Sequence, residues 1–544
     1  MRNGKMLAFL LLVTGIVYAN GLLSGFVWDD KPLIIERQAF FSQPRKALDL
    51  LVSSDSDFLN IKTPYYRPLN TFSYVFDHYL WGLHPFWYHL ENLLLHALVV
   101  ILFYLLIMEV FENERLAFFS ALLFAVYPVN AEAVDAVFNR NVLFCSVFAL
   151  SSLLFLARGN KILSLLAYFM ALLSKEPAIV LPFFLFSYGL TTKGVNFKKE
   201  WKVLAGFVGV TVFYFVVRYL VLGSFLPGEG AGFPLSRLKL ITAVYFEHFR
   251  LFVYPFKLNA LYTEQNLFFS PLKAAAAIGG VVLLLCTFLV KKTPEPVRAG
   301  AQWIFWGLLP VSNIVKIPSA PVAERYQYTI VLGFVLILGY LAERLSREKA
   351  FFGMAAAAML SIALGARTFE RNFVWHDNIS LFSSMTRSDP QNPLAHYDLG
   401  LAYDSRGGLE KAASEFRTAL ALKPSLADAR VDLGIYYAKR GDLERAVQEF
   451  KTALVLSPES VKAMLNLGVA YAKEGRLDDA VREFRGSVNL DPSMPEAHMA
   501  LGMGYEKEGL FREAAAEFEN VLKLDPGNPL AVNNLNNMRR IIRN

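Results

Sequence analysis

The chain has 544 residues, of which 55% are hydrophobic and only 19% charged, with a net charge of +7 and a mean hydropathy of +0.36. Soluble domains carry about 25% charged residues, which excludes a chain that is soluble throughout. The positive excess lies largely in short loops between apolar blocks, a pattern of membrane orientation and not of nucleic-acid binding.

Residues 1–370 hold the apolar blocks, and residues 391–544 have the composition of soluble helix. A spanning helix needs roughly 20 mostly apolar residues. About eleven such blocks occur, near 6–24, 87–108, 116–135, 141–157, 161–174, 176–190, 203–222, 271–290, 301–316, 326–342 and 350–366. Arg2 and Lys5 precede the first, which reads as a retained span and not a cleaved leader. Loops after the even-numbered spans carry Lys193, Lys198, Lys199 and Lys202, then Lys291, Lys292 and Arg298, then Arg344, Arg347 and Lys349. That face is cytoplasmic by the lysine and arginine bias, and an odd number of spans puts the C-terminal region on the opposite face. Cys145 and Cys286 lie inside apolar runs and form neither a disulfide framework nor a thiolate metal site.

The non-cytoplasmic loops hold polar motifs. The long first loop carries Trp28-Asp29-Asp30 and Tyr66-Arg67-Pro68-Leu69. Paired carboxylates there have a structural reading, a cap on a loop helix, and a chemical one, a general base or a metal ligand. His89, Asn92 and His96 share one face of the second span. His89 and His96 are about 10.5 Å apart on a straight helix, too far for one zinc ion, so interhelical hydrogen bonds are expected. Glu132 and Asp135 close the third span, Asn139-Arg140-Asn141 opens the fourth, Ser174-Lys175-Glu176 joins the fifth and sixth, and Glu324-Arg325-Tyr326 opens the tenth. Ionised groups at membrane depth are costly, about 2.5–3.5 kcal/mol each on insertion scales. Their gathering on one face marks a polar site.

Leu399-Gly400, Leu433-Gly434, Leu467-Gly468 and Leu501-Gly502 recur every 34 residues, with Tyr403, Ala412, Phe416 and Pro424 and their counterparts in phase. This is the tetratricopeptide (TPR) pattern, four times over residues 391–527, with a linker at 371–390 and a capping helix at 528–544. Lys439, Lys473 and Lys507 fall at one repeat position and either line a groove for a protein or peptide or form a solvated edge. The fold class is therefore all-α, a polytopic transmembrane helical bundle followed by a TPR α-solenoid.

The order Trp28-Asp29-Asp30, Tyr66-Arg67-Pro68-Leu69, Gly82-Leu83-His84-Pro85, His89 with Asn92 and His96, Tyr127-Pro128 with Glu132-Ala133-Val134, Ser174-Lys175-Glu176 and Ala323-Glu324-Arg325-Tyr326, followed by TPRs, resembles the transmembrane and TPR-containing O-mannosyltransferases and their bacterial relatives. The resemblance implies a C-type glycosyltransferase (GT-C) fold and a polyprenyl-phosphate sugar as donor substrate. It implies transfer of a hexose, mannose, to Ser or Thr hydroxyls of proteins held by the repeats. Asp29 or Asp30 is then the base, its neighbour orienting it or binding a divalent metal. Lys175 and Arg325, with Arg67 and Arg140 behind them, take the carrier phosphate. Glu132 and Glu324 hold those cations or meet sugar hydroxyls, with His89 and Asn92 nearby. Trp28, Tyr65 and Tyr66 suit the membrane interface. The setting is a bacterial inner membrane with the repeats on its periplasmic side. Two other readings remain open: a GT-C enzyme with a lipid or glycan acceptor, and a non-enzymatic membrane-anchored TPR scaffold.

Overall fold

A computed structural model describes residues 2–41, 65–191, 197–223, 235–264, 267–290, 292–315 and 320–543. Two of the orienting lysines, Lys193 and Lys291, lie outside the described residues. Two compact units are present, Met1–Ser384 and Met385–Asn544.

The first unit is helical. Its helices are α1 (Arg2–Tyr18), α2 (Pro68–Trp81), α3 (Pro85–Phe111), α4 (Glu114–Ala125), α5 (Ala131–Asp135), α6 (Arg140–Ala157), α7 (Lys161–Ser174), α8 (Leu181–Thr191), α9 (Phe197–Leu222), α10 (Leu235–Val253), α11 (Pro271–Leu289), α12 (Glu295–Leu308), α13 (Glu324–Glu348) and α14 (Ala350–Asn372). Each apolar block read from the sequence contains a helix, although the block at 301–316 leaves its helix after Leu308. Among the described residues seven helices are long and apolar enough to cross a membrane alone, and an eighth if the bent pair Glu114–Ala125 and Pro128–Asp135 counts as one span. The expected eleven falls to this number because α7 and α12 have 14 residues and α8 has 11. At 1.5 Å per residue 14 residues cover about 21 Å, less than the hydrocarbon thickness of about 30 Å. The break between α7 and α8 falls on Lys175-Glu176-Pro177, where a polar motif interrupts the apolar run.

The amphipathic α10 was not among the expected elements. Arg237, Lys239, Glu247 and Arg250 dilute its hydropathy, and it packs by one face through Val244, Leu251 and Phe252. Close helix approach in the bundle uses small residues. A Cβ on Gly300 of α12 would meet the Gly333 carbonyl of α13 at 2.5 Å, and one on Gly333 would meet the Gly300 carbonyl at 2.6 Å. The first span is integrated with the last: Asn372 Nδ2 donates to the Val17 carbonyl at 2.9 Å. Beyond α14, the stretch expected as a linker is helical. A 3₁₀ turn (Phe373–Trp375) leads into α15 (Asn378–Ser388), with Trp375, Leu381 and Phe382 buried.

The second unit is a stack of helical pairs: α16 (Pro393–Ser405) with α17 (Leu409–Leu422), α18 (Ala427–Lys439) with α19 (Leu443–Leu456), α20 (Val461–Lys473) with α21 (Leu477–Leu490), and α22 (Pro495–Glu508) with α23 (Phe511–Leu524). The 34-residue period is the period of these pairs, and α24 (Pro529–Arg543) packs on α23. Gly434 lets α18 and α19 approach, since a Cβ there would lie 2.6 Å from the Phe450 ring. Gly441, at φ 81°, turns the chain between them in a conformation that favours glycine. The first helices of the second, third and fourth repeats pack on one another, the arrangement that gives such stacks an inner wall. Lys439, Lys473 and Lys507 are exposed in the last turns of those helices, where the helix dipole favours a cation. Lys439 is paired with Asp404 at 3.3 Å.

Candidate active site

The first outer loop leaves α1 through a 3₁₀ turn (Ala19–Leu23) and forms a tight turn at Val27–Asp30. Asp30 N–H donates to the Val27 carbonyl at 2.9 Å. The Asp30 carboxylate is fully buried; it accepts the Val27 N–H at 2.9 Å and the Phe138 N–H at 2.7 Å. Both of its oxygens are committed to holding the loop against the segment before α6. Burial pushes Asp30 up to about 7 despite those two bonds. Asp29, only half-buried, faces a different environment. Burial raises its pKa, Arg325 lowers it, and Glu132 raises it. Two adjacent identical carboxylates thus have different fates, one structural and one available.

The first turn of α13 fixes the cationic side of the site, and successive side chains bind different helices. Glu324 grips Arg371 of α14 with both oxygens, at 3.2 Å from Nε and 2.9 Å from Nη2. Arg325 is held by Glu132 of α5, which pairs with its guanidinium and accepts its backbone N–H at 2.8 Å. Gln327 bonds His248 of α10. Tyr328 OH bonds His96 Nδ1 of α3 at 2.7 Å. Tyr326 turns toward Lys175, whose Nζ lies 5.7 Å from the ring centroid.

Lys175 ends α7 in extended backbone. Its side chain is buried and, among the described residues, makes no ion pair. Burial first, then Arg67 and Arg325, push its pKa down to about 7. Arg67 donates to Glu176 Oε2 from Nε at 3.2 Å and Nη2 at 2.8 Å, and its guanidinium lies 4.1 Å over the Tyr65 ring. Arg218 takes the other Glu176 oxygen at 3.3 Å. Lys175 and Arg325 thus lie 5.7 and 5.3 Å from the same Tyr326 ring centroid, and of Arg67, Lys175 and Arg325 only Lys175 has no carboxylate partner among the described residues. Leu332 and Leu336 on α13 lie about 9–15 Å along the helix from Tyr326. With Leu106, Leu153, Phe184 and Trp303 they line an apolar cavity of about 730 Å³.

Several expected site residues are placed elsewhere. Arg140, expected to bind phosphate, is enclosed: it pairs with Asp77 and with Glu91 at 3.2 Å, and donates to Asn92 Oδ1 at 2.9 Å and the Tyr88 carbonyl at 3.2 Å. At 1% exposure its side chain offers no free face to a ligand. Glu324 holds Arg371 and not Arg325. His89 Nε2 lies 3.3 Å from the Gly25 carbonyl, and Asn92 Nδ2 donates to the Val134 carbonyl at 3.1 Å, so both brace the outer loops. Interhelical bonding by His96 agrees with the expectation from its spacing. Among the described residues no three His, Cys, Asp or Glu groups are placed to hold a metal, and each Asp30 oxygen already accepts a backbone N–H. Sequence reasoning missed Arg218, Arg371 and Asn378. Arg218 had a signal, a lone cation in the apolar run of α9.

Fold and site together define a polytopic membrane protein with a polar centre at one end of its bundle and a TPR array at its C-terminus. Family models described as tetratricopeptide repeat match residues 379–427, 431–495 and 495–528. The chain is 25% identical over 447 residues to Protein O-mannosyl-transferase TMTC1 of Homo sapiens, covering 67% of this chain and 48% of the relative. It is 25% identical over 494 residues to Protein O-mannosyl-transferase TMTC3 of Mus musculus, covering 78% and 51%. With Protein O-mannosyl-transferase F38B6.6 of Caenorhabditis elegans it shares 24% over 440 residues, covering 77% and 63%. The chain spans about half the length of the first two of these relatives. Among solved structures, MamA aligns with 27% of this chain and 81% of its own at 24% identity and a TM-score of 0.25.

Proposed function

We propose that this protein is a membrane glycosyltransferase moving one hexose, mannose, from a polyprenyl-phosphate donor to a Ser or Thr hydroxyl of a protein held by the repeats. The reaction takes place on the periplasmic side of a bacterial inner membrane. The observation that carries this reading is the buried amine of Lys175 and the guanidinium of Arg325, which lie 5.7 and 5.3 Å from the centroid of the same Tyr326 ring, together with the half-exposed Asp29. The O-mannosyl-transferase names of the relatives support the sugar and the protein acceptor.

Chemically, the acceptor hydroxyl gives its proton to Asp29 as its oxygen attacks the anomeric carbon. The bond from that carbon to the phosphate oxygen breaks, and the electron pair leaves with the phosphate. One displacement inverts the anomeric centre. Lys175, Arg325 and Arg67 stabilise the growing phosphate charge in fixed positions, where donors act most strongly on the transition state. Glu132 keeps Arg325 aimed, and Glu176 does the same for Arg67. Asp30 positions the loop. An isoprenoid tail has the chemistry to fill the apolar cavity lined by Leu332 and Leu336.

The test is transfer by the purified protein in liposomes, from polyprenyl-phosphate mannose to Ser/Thr-containing proteins, read by mass spectrometry. One added hexose per modified hydroxyl is expected, with the anomeric configuration opposite to the donor's. Failure to transfer from any lipid-phosphate hexose contradicts the reading. Hexose appearing only on lipid or glycan moves the acceptor class.

A further inference from the structure

The Val27–Asp30 turn has an unusual residue at its corner. Trp28 has φ 48°, and Asp29 is not among the residues with positive φ. Positive φ at the first central position alone is the type II′ pattern, and glycine is the residue that suits it. A Trp there sets its Cβ against its own backbone. Such a conformation persists only where the surroundings over-determine it. Here Asp30 is pinned on one side by the Val27 and Phe138 amides. Upstream, Gly25 N–H donates to the His376 carbonyl at 3.0 Å. The indole meets the Phe138 ring edge-on at 6.0 Å. The contact on Trp28's own amide comes from Asn378, whose Oδ1 accepts the Trp28 N–H at 2.9 Å.

We infer that Asn378 is a positioning residue for Asp29: it holds Trp28 in a left-handed backbone, and that backbone sets the direction in which the Asp29 carboxylate leaves the turn. With Asp30 fixed below, relaxation of Trp28 to negative φ reorients the intervening peptide and swings Asp29, while leaving the rest of the loop in place. Asn378 opens α15 in the stretch that follows the last span. No motif in the sequence marks it. Its kinetic consequence rests on the transferase reading above.

The experiment compares full-length wild type, Asn378→Ala, Asn378→Asp, Trp28→Gly and the double variant Trp28→Gly with Asn378→Ala. Transfer kinetics and thermal unfolding are both read. Asn378→Ala is expected to lower kcat about tenfold or more, with donor and acceptor KM within about twofold. Asn378→Asp keeps the accepting oxygen and most of the rate. Glycine takes positive φ without a tether, so in the Trp28→Gly background Asn378→Ala leaves kcat unchanged and lowers the unfolding temperature by less than it does with Trp28 present, since the backbone amide loses its acceptor in both but only the Trp28 backbone is strained. Equal losses in both backgrounds, or none in either, overturn the inference. Complete loss of transfer in Trp28→Gly alone also overturns it, because the indole then acts directly. A wild type that transfers no sugar sinks the transferase reading and leaves the unfolding comparison to decide this one.

Discussion

At the scale of single residues the proposed reaction makes its sharpest demand on Lys175. Its pKa near 7 means that the amine is charged below that value and loses its charge as the pH rises through it. Asp29 must be ionised to accept a proton, and its raised pKa moves that requirement toward neutrality. The dependence of kcat/KM on pH is therefore expected to be bell-shaped, with Asp29 on the acid limb and Lys175 on the alkaline limb. Arginine stays charged throughout, so Lys175→Arg is expected to remove the alkaline limb near pH 7; an unchanged limb assigns it to another group. Asp30 makes a separate prediction about stability. Its pKa is raised in the fold from 3.8 to about 7, so its contribution is fully present below about 4 and is lost as the pH rises through about 7. The unfolding temperature of wild type should fall over that window, and Asp30→Asn should flatten part of the fall. The sequence could not separate Asp29 from Asp30, because the difference depends on the Phe138 amide, more than a hundred residues away. Arg140 misled for the same reason: its partners Asp77 and Glu91 arrive from two other helices.

Helices were more legible than sites. A run of apolar residues specifies a helix in lipid whatever its neighbours do, and every block read from the sequence contains one, that at 301–316 only as far as Leu308. Their capacity to span was harder to read, because short apolar helices at a polar break have the composition of a span and not its length. The repeats were legible to the residue, since period, glycine and aromatic positions all arise within one 34-residue unit. At this scale the clamp between Glu324 of α13 and Arg371 of α14 is fully buried. Breaking it with Glu324→Gln leaves a buried unpaired guanidinium and should cost about 3–5 kcal/mol. Adding Arg371→Met should recover part of that loss in a double-mutant cycle read by unfolding in detergent. Additive losses would mean that the two groups are stabilised independently. In the repeats, Gly434→Ala forces a methyl group against Phe450 and should cost about 1–3 kcal/mol by the same readout.

The whole molecule joins a membrane bundle to an array suited to holding protein. Tethering raises the local concentration of an acceptor without any new contact at the reacting atoms. Reversing the charge of Lys439, Lys473 and Lys507 together should raise the KM for protein acceptors about tenfold, leaving kcat and the use of short peptides unchanged. Equal effects on both acceptors would mean that the three lysines do not hold the acceptor protein. The division of labour within the Asp29-Asp30 pair is decided by transfer kinetics of Asp29→Asn and Asp30→Asn beside wild type, with the unfolding temperature of each recorded alongside. Loss of a general base lowers kcat by about 10²–10⁴. The prediction is a fall of that size for Asp29→Asn with donor KM unchanged and stability retained, and a smaller fall for Asp30→Asn accompanied by lost stability. Wild-type turnover by Asp29→Asn would contradict it.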